Sequence, residues 1–145
     1  MIKKRSKFNN KKVEVDGIVF DSAMEAKYYE YLKEEYEHGR VAFFELQPKY
    51  TLQSSFKKRG KLFRAIDYKA DFEVHYPNGD YVTIDVKGFE TADFKIKRKL
   101  FEKAYPQELK LITYSKIDGG WIEIDDLKKA RKERKKAKEE KAKNL

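Results

Sequence analysis

The chain has 145 residues, with 34 Lys or Arg against 25 Asp or Glu, two His and no Cys, for a formal net charge of +9. That length fits one domain; the lack of Cys excludes a disulfide framework, a thiolate zinc site and a cysteine nucleophile, and the isolated His38 and His75 argue against a His-rich metal site or an HNH-type nuclease. The opening segment has no apolar signal core and no later run approaches the roughly 20 apolar residues of a membrane span, so a soluble, cytoplasmic protein without a membrane partner is expected.

Residues 1–12 carry six basic and no acidic side chains, Lys3, Lys4 and Arg5 among them, and read as a basic N-terminal arm. The body, 13–127, holds 18 basic and 22 acidic groups. It opens on VEVDGIVF (13–20), which alternates around Asp16-Gly17 like a small hairpin. Ser22-Ala23-Met24-Glu25 fits a capping box and predicts a helix to about His38, stopped by Gly39. VAFFEL (41–46) and KYTLQSSF (49–56) read as strands on either side of Gln47-Pro48. Lys57, Lys58, Arg59 and Lys61 gather around Gly60 and are expected at an exposed loop or hairpin tip.

FRAIDYKADFEVHY (63–76) and DYVTIDVKG (80–88) then flank Pro77-Asn78-Gly79, a strong hairpin signal. A helix is predicted from about Ala92 to Ala104, N-capped by Thr91, with Pro106 beyond its end. LKLITYS (109–115) and WIEI (121–124) are strands around Asp118-Gly119-Gly120. A charged helix starting at Asp125 or Asp126 is expected to fray, and 128–145, with ten basic and three acidic groups, reads as a basic tail. The order of elements predicts an α/β fold with a mixed sheet flanked by helices. Basic ends are either solvated tails or a hold on a polyanion, and three separate basic clusters favour nucleic acid over a small acidic substrate.

Within this frame three acids stand out. With Pro77, Asn78 and Gly79 as a three-residue loop, Tyr76 opposes Asp80 and Asp71 falls directly across from Asp85, their Cβ atoms roughly 4.5–5.5 Å apart. Only this register keeps Tyr68, Ala70, Phe72, Val74 and Tyr76 together on one face with Val82, Ile84 and Val86, leaving Asp67, Asp71, Asp85 and Lys87 on the other. Opposed carboxylates repel unless a cation lies between them, and one or two hard oxygen ligands with open positions suit Mg²⁺. The plainer alternative is a polar, solvent-facing side of a ribbon. Glu25 sits inside the apolar arc of the first helix with Met24, Tyr28, Tyr29, Tyr31, Leu32 and Tyr36, where it either completes the capping box or faces a cation. Lys97 intrudes likewise among Phe94, Ile96, Leu100, Phe101, Ala104 and Tyr105, either snorkelling or reaching for a phosphate.

Glu25, Ala70-Asp71-Phe72 and Asp85-Val86-Lys87-Gly88 resemble the PD-(D/E)XK nuclease superfamily. With Phe20-Asp21-Ser22 ahead and the stretch through Thr91 to Lys97 behind, residues 6–124 are similar to a family of small phage-encoded nuclease-like proteins, itself akin to phage junction-resolving endonucleases and to endonuclease subunits of cut-and-paste transposons. The resemblance implies a restriction-endonuclease-like core and a metal-dependent DNA endonuclease acting in phage DNA recombination, replication or repair. Asp71, Asp85 and the Val86 carbonyl would hold Mg²⁺ or Mn²⁺, with Glu25 joining directly or through water, and Lys87 would serve the attacking water. Lys97 would be an accessory phosphate contact and Gln47 a site-lining residue. Its substrate would be branched or double-stranded DNA, which suits a homodimer cutting two strands, with no small-molecule cofactor. Ala70 stands where the superfamily motif has Pro. The rival readings are a DNA-binding accessory protein that keeps the fold without cutting, a structural phage protein holding nucleic acid by its tails, and an RNase H-like nuclease using Asp67, Asp71 and Asp85.

Overall fold

A computed structural model describes residues 11–144; Lys3, Lys4 and Arg5 lie outside the described residues. Strands β1 (Val13–Val15) and β2 (Ile18–Phe20) form the expected hairpin, turned by Asp16 and Gly17, both at positive φ. Helix α1 (Ala23–Glu37) follows, with the Ser22 hydroxyl accepting from the Glu25 N–H at 3.1 Å, and ends where Gly39 takes φ +75°. Its inward face is narrower than the sequence implies. Ala26, Tyr28, Tyr29 and Leu32 are buried, whereas Tyr36 lies exposed and Tyr31, beside Tyr28 and Trp121, is 37% exposed.

The central sheet has five strands in the order β11-β10-β9-β8-β3. These are β3 (Phe43–Leu46), β8 (Phe72–His75), β9 (Tyr81–Val86), β10 (Leu109–Ser115) and β11 (Gly120–Glu123). All neighbours are antiparallel except β9 and β10, joined by the crossover helix α2 (Ala92–Ala104) as a parallel pair requires. The sheet is therefore mixed and the fold α/β. At the β8–β9 turn Tyr76 N–H donates to Asp80 at 2.8 Å, Gly79 adopts φ +93°, and the ladder Phe72↔Ile84, Val74↔Val82 is the one set by the three-residue loop.

The predicted strand 63–76 is in fact three pieces. β7 (Ile66–Lys69) pairs with β4 (Lys49–Gln53), and β5 (Phe56–Lys58) pairs with β6 (Lys61–Phe63) as a protruding hairpin with Arg59 and Gly60 at its tip. Between β7 and β8 the ribbon bends at Ala70-Asp71, opposite Gln47-Pro48. Gln47 has φ +50°, its N–H donates to the Asp71 carbonyl at 2.9 Å, and Ala70 N–H donates to Pro48 at 3.0 Å. Pro48 lacks an N–H and cannot continue the ladder, so the pairing breaks there and β4–β7 folds over the sheet.

Two cores result, one on each face. Tyr28, Tyr29 and Leu32 of α1 pack on Phe72, Val74, Ile84 and Val86. On the opposite face Phe94 and Phe101 of α2 join Tyr50, Tyr68, Leu109 and Leu111. Phe72 and Phe101 are wholly buried, so truncating either to Ala would cost about 3–5 kcal/mol. The inward stripe of α2 is Phe94, Lys97, Arg98, Leu100 and Phe101; Ile96, placed inward by the sequence pattern, is 62% exposed. Arg98 lies near Glu90 at 3.7 Å and Asp125 at 3.6 Å. The C-terminal segment is helical: α3 runs Ile124–Lys143, with Ile124 and Leu127 buried at its start and Arg134 on Asp118. Its Ala, Lys, Arg and Glu are strong helix formers. No helix among the described residues is long and apolar enough to cross a membrane.

Candidate active site

The end of β9 carries Asp85, Val86 and Lys87, and the bend before β8 brings Asp71 beside them. The ladder ends at Phe72 opposite Ile84; one residue further the pairing is irregular, with Asp71 N–H donating to the Ile84 carbonyl at 3.2 Å, and there Asp71 comes within electrostatic reach of Asp85. Asp71 then uses its side chain where a strand neighbour would be: Oδ2 accepts the Val86 N–H at 2.8 Å.

Asp85 is only 3% exposed. The expected alternative, a solvent-facing polar ribbon, does not hold for this position, because β4–β7 and α2 cover the face. The Tyr68 hydroxyl donates to Asp85 Oδ2, and Lys87 Nζ stands 3.4 Å from Oδ1. Alternation along β7 and β8 assigns Tyr68 to the α1 face, yet it contacts Asp85 on the other. The bend at Ala70-Asp71 reverses it, and nothing in the residue pattern announces that reversal.

Glu25 is half-buried at the start of α1 and lines a cleft of about 350 Å³ with Val86, Lys87, Gly88 and Thr91. Burial, then Asp21 and Asp85, push its carboxyl up to about 7, against a backbone hydrogen bond at Asp21 and the charge of Lys87. Of the capping box only the Ser22 half is present, with Ser22 Oγ accepting from Glu25 N–H. Asp71 is pushed up to about 9 by burial first and then by the charges of Asp85 and Glu25, with the Val86 N–H pulling the other way. The three acids thus share one electrostatic neighbourhood, and of the three Glu25 lines the cleft. Among the described residues, however, no three His, Asp or Glu side chains are placed to grip one ion between them. The direct pair is Asp71 and Asp85, and Glu25 stands one step back.

The remaining predicted residues divide. Gln47 flanks the site through its backbone bond to Asp71. Lys97 lies on the inward stripe of α2 but is engaged by Asp93 at 3.5 Å. Lys57, Lys58, Arg59 and Lys61 are exposed on the β5–β6 hairpin, away from the cleft. Asp67 is drawn off by Thr51 at 3.0 Å and Lys49 at 3.5 Å, so it does not join Asp71 and Asp85. Tyr68 and Asp21, both adjoining the acids, are the neighbours that the residue pattern did not single out.

The architecture defines a mixed α/β domain with two neighbouring acids, buried Asp85 on its central strand and part-buried Asp71 beside it. Its sequence matches over residues 5–119 the profile of a family described as "Protein of unknown function (DUF1064)", and the chain belongs to that family. No curated protein and no solved structure matches it.

Proposed function

We propose that this chain is a metal-dependent DNA endonuclease with a restriction-endonuclease-like core, hydrolysing phosphodiester bonds at the end of β9. The observation that carries the reading is the closeness of part-buried Asp71 to buried Asp85, beside Glu25, with Lys87 3.4 Å from Asp85. An acid pair that holds its proton to about pH 9 is short of positive charge. Its donors are hard oxygens, which fit Mg²⁺ or Mn²⁺: Asp71 through the oxygen not committed to Val86, Asp85, and the Val86 carbonyl, with Glu25 acting through water. Such an ion supplies Lewis-acid activation of water and neutralises charge developing on the phosphate.

The chain's own groups do the rest. Tyr68 fixes the rotamer of Asp85, and Val86 N–H fixes that of Asp71, so neither carboxylate must reorganise when substrate arrives. Lys87 is half-buried at the cleft, where its ammonium can orient the attacking water and face the phosphate. Water oxygen bonds to phosphorus as the bond to the 3′ oxygen breaks, leaving a 5′-phosphate and a 3′-hydroxyl. Exposed Lys and Arg on the hairpin and on α3 would hold the DNA backbone, with affinity falling steeply in salt. Branched DNA is the substrate class this reading favours. The test is nicking of branched and linear DNA with Mg²⁺ or Mn²⁺: the native chain cuts, and Asp85→Asn binds DNA without cutting. Equal cutting by Asp85→Asn and Lys87→Ala would overturn the assignment, and binding without cutting by the native chain would make it an accessory protein.

A further inference from the structure

We propose that the β5–β6 hairpin is a stacking platform for an unpaired DNA base, and so selects strands that leave the duplex. The inference rests on the endonuclease reading and adds to it the element that recognises the substrate. Phe56 and Phe63 pair across the hairpin with ring centroids 5.0 Å apart and planes within 9°. They are 44% and 38% exposed. No residue of either strand is buried, so the rings support no core. Lys58 and Lys61 are also cross-strand partners, and strand alternation puts them on the same face as the rings, one step nearer the tip. Lys61 Nζ lies 5.3 Å from the Phe63 ring centre.

Residues 54–66 hold Lys57, Lys58, Arg59, Lys61 and Arg64 and no acid. One face of the hairpin thus offers flat apolar surface beside two ammonium groups, the complement of a nucleobase and its phosphates. Stacking on an aromatic ring contributes about 1–3 kcal/mol per base and is indifferent to sequence. A closed duplex presents phosphates but no free base face, so it would engage the lysines alone. From Asp71 back to Phe63 is eight residues, at most about 26 Å along the ribbon, or about eight nucleotides of one strand. Cutting should fall within that distance of the branch.

The test is DNA binding by fluorescence anisotropy without divalent metal, which separates recognition from cleavage. The probes are a blunt duplex, the same duplex opened to a fork, and the free single-stranded arm. Phe56→Leu/Phe63→Leu keeps the hairpin apolar but removes the ring faces. It should weaken fork and single-strand binding about 10-fold or more, leave duplex binding within about twofold, and abolish quenching of a fluorescent adenine analogue in the arm. Phe56→Trp/Phe63→Trp should restore all three, with unchanged thermal melting excluding misfolding. A native chain that binds the fork no better than its Leu variant overturns the platform and leaves the nuclease reading standing. Equal losses on fork and duplex also overturn it. Failure of the native chain to bind any DNA, or a preference for polyglutamate over every DNA, overturns both.

Discussion

Two polar clusters lie on the same face of the central sheet, around Thr83 and Asp85, two residues apart on β9, and they balance their charge differently. At Thr83 the Tyr50 hydroxyl is shared with Thr83 Oγ1 at 2.8 Å and Glu73 Oε1 at 3.0 Å. Gln107 Nε2 donates to Thr83 at 3.3 Å, and His75 lies 3.1 Å from the other Glu73 oxygen. One carboxylate there faces several donors. At Asp85 three carboxylates face one hydroxyl, two backbone N–H groups and Lys87. Among the described residues every buried side-chain N or O has a hydrogen-bond partner, so the clusters do not differ in satisfaction. They differ in excess negative charge, and it is that excess, rather than buried polarity itself, that points to a ligand.

The comparison breaks most sharply under isosteric amides. Asp85→Asn should lower nicking by at least about 10³-fold, whereas Glu73→Gln should leave it within about threefold while lowering stability by about 1 kcal/mol. Nicking rates and chemical melts of both proteins decide this, and similar losses from both would erase the distinction. The two tyrosines come next. Tyr68→Phe removes the donor that orients Asp85 and should weaken Mn²⁺ binding about 10–100-fold by calorimetry. Tyr50→Phe should leave ion binding unchanged and cost about 1–2 kcal/mol in unfolding.

A smaller effect is the response to pH without metal. Asp71 and Glu25 titrate at about 9 and about 7 in the folded chain, above their ordinary carboxyl values. The folded chain therefore keeps protons the unfolded chain has lost, and the stability these groups contribute is full in acid and lost as pH rises through about 7 and then about 9. Asp71→Asn should flatten that fall and raise the metal-free melting temperature at alkaline pH by roughly 5 °C. Mg²⁺ should stabilise the native chain more as pH rises, because it competes with the proton. Melts that improve with pH in the metal-free native chain would contradict the crowding of charge. The smallest effect belongs to Lys97→Ala, since Asp93 already engages that side chain: nicking should change less than about threefold.

Much of this site was legible because its rules are local. Pro77-Asn78-Gly79 selects a three-residue loop, and the loop sets the register as far as Phe72 opposite Ile84; Asp71 comes beside Asp85 at the irregular step beyond that ladder. Ser22 and Thr91 cap their helices through side-chain oxygens, at 3.1 Å each, as their types and spacing require. The hydrophobic wheels were less reliable. They placed Tyr31, Tyr36 and Ile96 inward, and these are exposed because a helix buries only what another element covers. The Phe56–Phe63 pair passed unnoticed because both residues fit ordinary strands, and only the β5–β6 turn brings them face to face.

The chain by itself determined the turns, the caps, the register of the β8–β9 hairpin and the distribution of positive charge. These follow from backbone preferences and side-chain chemistry within a few residues. Only the tertiary structure decided that Asp85 is buried, that Tyr68 rather than solvent meets it, and that Glu25 lies near enough to feel it. Those outcomes depend on the bend at Gln47-Pro48 and Ala70-Asp71, which folds one ribbon over a sheet whose strands are far apart in sequence. Dielectric surroundings and charge crowding arise from such long-range packing, and no local pattern encodes them.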